Sequence, residues 1–382
     1  MRRLTSLRYL EWVHHVWAKG GLSLYDSSVS PPDALLAQAA RRVFDRGAPL
    51  AIPATFGGGS AAMLACLADV YGVSDTRLLA TSGVASGLAL VFRAMARPGD
   101  HVLVEQPGYQ PFEDMALAAG LRVEGFARRG AAMRPDLDDL RARLRGDTRM
   151  IVLSHLHNPT GQALRADDLA ALASQCEQAG IWLVIDEIYG AFVDDRALAA
   201  RDSGRVISLS GLSKIFGLGA LRCGWIMAAP SVVESLRRAS LYGDAGLSAA
   251  SQAIALQVLR DWPRFRARTQ VILDTNRPII AAWLERVVDL GLVSGELAPQ
   301  GCLTFPRLVE MARTEGFCAW LQANQGVIVA PGCHWAAPGH VRLGFGMERA
   351  RLEQGLDGLQ QGLLAYRAMS AVQRQVVDSF IP

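Results

Sequence analysis

Lysine is nearly missing from this chain of 382 residues: Lys19 and Lys214 are the only two, while arginine is abundant. Most lysines and arginines are solvated surface charges, so one lysine kept among small residues marks a place that needs an amine. No uninterrupted apolar run is long enough to cross a bilayer, which argues against a membrane partner. Arg8, Glu11 and two histidines interrupt the first twenty residues, so an export signal is not expected. The six cysteines, Cys66, Cys176, Cys223, Cys302, Cys318 and Cys333, show no CxxC spacing, and scattered thiols suit a reducing cytoplasm. A strong charge of one sign is also absent: the formal net charge is +3, from 39 basic and 36 acidic residues. The basic runs Arg128-Arg129 and Arg141 to Arg145 read as solvated faces, so no nucleic-acid partner is expected. There is no internal repeat and no low-complexity segment.

What is present is an apolar chain (51% hydrophobic) carrying polar motifs where short hydrophobic strands end. Lys214 lies in Ser210-Gly211-Leu212-Ser213-Lys214-Ile215-Phe216-Gly217-Leu218-Gly219-Ala220-Leu221-Arg222. A lysine amine forms a Schiff base with an aldehyde, and an arginine fork holds a phosphate. Upstream, Thr81-Ser82-Gly83-Val84-Ala85-Ser86 follows Leu78-Leu79-Ala80, and Asn158-Pro159-Thr160-Gly161 follows the run Met150 to Leu153. Asp186-Glu187-Ile188-Tyr189 ends the run Ile181 to Ile185. In open α/β sheets ligands gather at the carboxyl ends of strands, so these segments can converge on one crevice.

Taken in this order the motifs resemble the fold type I enzymes of pyridoxal phosphate, in the class I/II aminotransferase branch, from about Leu35 to Leu359. The resemblance implies an α/β fold: a large domain with a mostly parallel mixed sheet between helices, and a smaller α/β domain. It puts the large, cofactor-binding domain at 46–271 and the small one at 1–45 with 272–382. It also implies a homodimer with its active site at the subunit interface. Lys214 would then carry the cofactor, be displaced by the substrate amine and serve as the proton-transfer base. Asp186 would pair with the protonated pyridine nitrogen. Asn158 and Tyr189 would hydrogen-bond the phenolic oxygen, and Tyr109 would stack on the ring or be an ordinary half-buried tyrosine. Gly83, Val84 and Ala85 would cradle the phosphate at a helix start, with Ser213 and Arg222 beside them. Arg342, in His340-Val341-Arg342-Leu343-Gly344-Phe345, would bind the substrate α-carboxylate.

Several positions depart from the family. Ala85 stands where a hydroxyl or lysine is common, with Ser86 and Ser82 as alternative replacements. Gly211 replaces a serine, and Cys223 an aliphatic residue. Phe56 lies in a segment where a tyrosine usually reaches the partner subunit's phosphate. Tyr25 to Pro31 lacks the usual Gly-Glu-Pro pattern. Gly217-Leu218-Gly219 begins like a dinucleotide fingerprint, but Arg222 takes the sixth place, which argues against a nicotinamide enzyme. His155 and His157 form a pair without a carboxylate at ligand spacing, so they read as wall or core residues, not a metal site. The reaction implied is transfer of an amino group from an L-amino acid to a 2-oxo acid. A lyase, decarboxylase or cyclase on the same cofactor site is the alternative. No arginine stands out for a second carboxylate, which favours neutral or aromatic amino acids. Alternating strands and helices are expected from Thr76 to Pro230. Helical periodicity runs from Leu247 to Leu290 with a start or break at Pro263, a short α/β region spans Val293 to Leu364, and a helix is expected from Tyr366 to Pro382.

Overall fold

Strands that read as unbroken apolar runs are buried on both faces, which is the situation of a parallel sheet covered by helices. The computed structural model describes residues 8–45, 58–194, 199–243 and 246–379. Its eight-stranded sheet is built from β1 (Leu78–Thr81), β2 (His101–Gln106), β3 (Arg122–Arg129), β4 (Arg134–Pro135), β5 (Thr148–Ser154), β6 (Trp182–Asp186), β7 (Val206–Gly211) and β8 (Gly224–Met227). The spatial order is β1-β8-β7-β6-β5-β2-β3-β4. The pairs β7/β6, β6/β5, β5/β2 and β2/β3 are parallel, whereas β8 runs antiparallel to both of its neighbours.

Alternate residues feed two cores, as a period of two requires. Leu103, Ile151, Leu153, Leu183 and Ile185 lie in one apolar cluster. Val102, Val104, Met150, Val152 and Val184 lie in the other, with Leu88, Val91 and Phe92 of α2 (Val84–Met95). The alternation of strands and helices expected from Thr76 to Pro230 is therefore present, as a mostly parallel mixed sheet between helices.

A second, three-stranded antiparallel sheet holds β9 (Leu303–Thr304), β10 (Ala330–Pro331) and β11 (Val341–Gly344), with β11 central. Asn276 ties this sheet to α4 (Trp262–Asp289): its amide donates to the carbonyls of Phe345 and Met347, both at 2.7 Å. The long periodic stretch divides at Asp261 into Ala249–Arg260 and α4, whose first turn contains Pro263, as its ring geometry favours. The tail differs from expectation. Tyr366 still belongs to α5 (Arg349–Ala368), and a separate helix, Ala371–Asp378, begins at a Ser370 capping box. The Ser370 hydroxyl takes the Gln373 amide and the Gln373 side chain returns to the Ser370 amide, which starts a separate helix.

Among the described residues no helix is long and apolar enough to cross a membrane. The segment around Phe56 lies outside the described residues.

Candidate active site

The register of the parallel strands brings their carboxyl ends level: Ser154 lies opposite Asp186, and Asp186 opposite Leu209. Thr81 of β1 and Gly211 of β7 both pair with Gly224, the first residue of antiparallel β8. Arg222, just before β8, thus starts from the same rim as the loops carrying Gly83, Asn158, Tyr189 and Lys214.

At one end of the rim, α2 begins at Gly83 with φ 86°, a left-handed conformation that favours glycine. A Cβ there would meet Arg222 Nη2 at 2.7 Å. The guanidinium also donates to the Ser82 carbonyl at 3.1 Å and to the Gly219 carbonyl at 3.4 Å. A helix N-terminus, a missing Cβ and a fixed arginine together form a cradle for an anion. Val84 is half-buried and Ala85 exposed at the mouth of this cradle. The departure at Gly211 has a steric reason, since a Cβ there would sit 2.8 Å from the Cys223 carbonyl.

In the middle stands Lys214, half-buried like Ser213, with Nζ donating to Ser27 Oγ at 3.1 Å. The Ser27 hydroxyl also hydrogen-bonds Tyr189, which is buried. The atypical segment Tyr25 to Pro31 therefore reaches the lysine itself. Gly217 permits this approach: a Cβ there would lie 2.4 Å from the Val29 carbonyl. Burial pushes the Asp186 carboxyl up to about 7, against the Ile188 amide that bonds it at 3.0 Å and the opposing charge of Lys214. A buried carboxylate so perturbed calls for a cationic partner.

At the other end Arg342 is fully buried at the centre of β11. Nη1 donates to Asn158 Oδ1 at 3.1 Å, and Nη2 donates to the Tyr9 hydroxyl at 2.9 Å and the Tyr25 carbonyl at 2.8 Å. Its Nε is buried without a partner. The guanidinium carbon lies 4.5 Å from the Trp335 ring centroid, a cation–π distance. Asn158 Oδ1 also accepts the Trp335 indole N–H at 3.1 Å. Both partners of that oxygen are donors only, so the amide orientation is fixed and Nδ2 faces away as a spare donor. Tyr109, the residue before α3 (Gln110–Ala118), packs edge-on to Tyr9 at 5.3 Å.

Beneath these groups runs a buried chain. Glu105 accepts from Arg128 Nε at 2.6 Å and from the Ser154 hydroxyl at 2.5 Å, and that hydroxyl accepts the Asn158 amide at 3.0 Å. This corrects the expectation that Arg128 is a solvated charge. Its side chain is inward because Glu105 on adjacent β2 and the carbonyls of Met133 and Ser154 satisfy it. His157 donates through Nε2 to the Pro107 carbonyl and accepts from Thr160 through Nδ1, both at 2.8 Å, while His155 Nδ1 accepts the Leu164 amide at 3.0 Å. Both imidazoles serve the loop architecture. Sequence motifs did not disclose Tyr9, Ser27, Glu105 or Trp335, since each comes from a segment remote from the motif it supports.

The donor set suits pyridoxal phosphate. The cradle at Gly83 and Arg222 matches a phosphate, the perturbed Asp186 a protonated pyridine nitrogen, the spare Asn158 donor a phenolic oxygen, and the Lys214 amine an aldehyde.

Comparison with known proteins agrees. The sequence profile described as aminotransferase class I and II matches residues 23–359. Capreomycidine synthase of Streptomyces vinaceus is 30% identical over 290 residues, covering 75% of this chain and 74% of its own. Histidinol-phosphate aminotransferase of Rhodospirillum centenum is 31% identical over 312 residues, covering 79% and 82%. A PLP-dependent aminotransferase from Streptococcus suis superposes with a TM-score of 0.85 at 26% identity, over 97% of this chain and 100% of its own. The PLP-dependent cyclase OrfR superposes with the same TM-score at 25% identity, over 96% and 99%.

Proposed function

The chain belongs to the class I and II aminotransferase family, whose members use pyridoxal 5'-phosphate, and we propose that it moves the amino group of an L-amino acid to a 2-oxo acid. The observation that carries this reading is the linkage of Lys214, Asp186 and Arg342 around one rim, with Asn158 joining the carboxylate-binding end to the cofactor end.

When bound, the cofactor supplies an aldehyde for amines and a conjugated ring that accepts the electron pair of a broken Cα bond. Lys214 Nζ would hold that aldehyde and, once released by the incoming amine, would be the base placed to move the substrate's Cα proton. The Asp186 carboxylate keeps a proton on the ring nitrogen. Asn158 Nδ2 and the Tyr189 hydroxyl donate to the phenolic oxygen, with Ser27 steadying both Tyr189 and Lys214. Gly83, Val84, Ala85, Ser213 and Arg222 would hold the phosphate, and Tyr109 would stack on the ring. Arg342 orients the substrate through its α-carboxylate, and the aromatic rings of Tyr9 and Trp335 beside it suit a neutral or aromatic side chain.

We place the division between a large and a small domain at residue 271, within α4, and the protein in a reducing cytoplasm as a homodimer. The six unpaired cysteines support the compartment.

A second reading has its own support, because a synthase and a cyclase stand among the similar proteins at the same level as the aminotransferases. Which Cα bond breaks depends on the substrate's orientation over the ring, so a cyclase or lyase would use the same cofactor contacts. Incubation of nitrogen-15-labelled L-amino acids with 2-oxo acids separates the two. Label in a new amino acid supports transfer, whereas ammonia, carbon dioxide or a cyclised product without label transfer supports the second reading.

A further inference from the structure

The hydrogen-bond inventory of Arg342 leaves no edge of its guanidinium open to a carboxylate. A guanidinium has five N–H donors, and it grips a carboxylate with two parallel bonds along either the Nε–Nη2 edge or the Nη1–Nη2 edge. Both edges need Nη2. Both Nη2 donors are engaged, one by the Tyr9 hydroxyl at 2.9 Å and one by the Tyr25 carbonyl at 2.8 Å. Nε, the other half of one edge, is buried and unpartnered, an arrangement that costs free energy until an acceptor arrives.

We propose that the Tyr9 hydroxyl is an internal competitor for the carboxylate seat on Arg342, so that a substrate carboxylate gains its two-bond grip by displacing Tyr9. The inference rests on the reading of Arg342 as the carboxylate site. Tyr9 is the partner that yields, because the Tyr25 carbonyl is main chain in the segment that also holds Ser27 against Lys214. Tyr9 instead sits in the first turn of α1 (Tyr9–Lys19), a helix whose Leu10 and Trp17 are exposed. Its ring is one wall of an aromatic box, 5.3 Å from Tyr109, 5.5 Å from His334 and 5.4 Å from Trp335. Its amide is bonded to Gln110 Oε1 at 2.7 Å, and Arg8 pairs with Asp114 of α3, so the helix start is anchored and the exchange falls to the Tyr9 side chain alone. Exchange favours the carboxylate, since it brings the opposite charge and a second parallel bond to the guanidinium, whereas the Tyr9 hydroxyl is a neutral, single acceptor. A ligand lacking a free carboxylate cannot make the exchange, which makes Tyr9 a specificity-determining residue.

The test uses the holoenzyme, 3-phenylpropionate as a carboxylate without an amine, and calorimetric titration, so no turnover is read. Tyr9→Phe keeps the ring and removes only the competing oxygen. The dissociation constant is expected to fall about tenfold, the ratio equivalent to one hydrogen bond to a charged group of about 1.5 kcal/mol, with no gain for 3-phenylpropionamide. An unchanged or weaker affinity in Tyr9→Phe overturns the competition. Arg342→Lys distinguishes the levels. If it weakens 3-phenylpropionate while Tyr9→Phe does not tighten it, the carboxylate site stands and the cap alone fails. If Arg342→Lys leaves binding unmoved, the carboxylate site fails and the cap with it.

Discussion

Replacing Asp186 by asparagine is predicted to stabilise the apoprotein while it damages the holoenzyme. Asn keeps the shape and the acceptor for the Ile188 amide, so the change isolates the charge. Burial raises the carboxyl from 3.8 to about 7. A carboxyl whose folded pKa lies above its unfolded value binds more protons in the native state. Its stabilisation is therefore complete below about pH 4 and is lost as pH rises through 7. At 1.36 kcal/mol per pKa unit the difference amounts to a ceiling of about 4 kcal/mol by pH 8. Glu187, also raised to about 7, chiefly by burial, adds a parallel loss that the substitution eases only in part, since the Asp186 charge is the smallest of its causes. Urea unfolding of apoprotein at pH 5 and pH 8 reads the effect. The variant's unfolding free energy should exceed the parent's at pH 8 by up to that amount, and the gap should narrow at pH 5. Adding pyridoxal phosphate should reverse the order, because the ring nitrogen's proton loses a charge-assisted bond worth about 1.5–3 kcal/mol, roughly 10- to 100-fold in affinity. An apo variant less stable than the parent at pH 8 would refute the assignment of Asp186 as a carboxylate waiting for a cation.

The remaining predictions concern the frame around the site. Trp335→Phe keeps a ring beside Arg342 but removes the N–H that fixes the Asn158 amide; cofactor affinity by spectroscopic titration should fall about fivefold, and an unchanged value would deny that role. Gly83→Ala puts a methyl 2.7 Å from Arg222 Nη2 at a φ of 86°, so phosphate-dependent cofactor binding should drop at least roughly tenfold, with about 1–3 kcal/mol lost from stability by urea unfolding. Glu105→Gln leaves Arg128 as a buried unpaired charge and should cost about 3–5 kcal/mol in the same assay, whereas a loss under 1 kcal/mol would mean that the pair is solvated.

Legibility in the sequence followed chemistry and proximity. Lys214, Asn158, Asp186 and Arg222 were readable because each follows or precedes a short apolar strand, and the sheet register then levels those ends. Gly83 was readable because a left-handed helix start favours glycine. Arg342 was readable only from its neighbours in sequence. Its cover was not, since Tyr9 lies 333 residues away along the chain. Arg128 misled because a charge in an arginine pair looks solvated until Glu105 on the next strand is known. Ser27 and Trp335 belong to segments that carry no chemical motif, and only packing brings them to Lys214 and Asn158. The helix break at Met369 was hidden because a Ser-Gln capping box is a weak signal inside a periodic tail.

The scarcity of lysine makes the central claim directly measurable. Holoprotein reduced with borohydride, digested and mapped by mass spectrometry should carry the reduced cofactor on the peptide containing Lys214 and not on the one containing Lys19. Label on Lys19 or on the terminal amine, with Lys214 unmodified, would contradict the account.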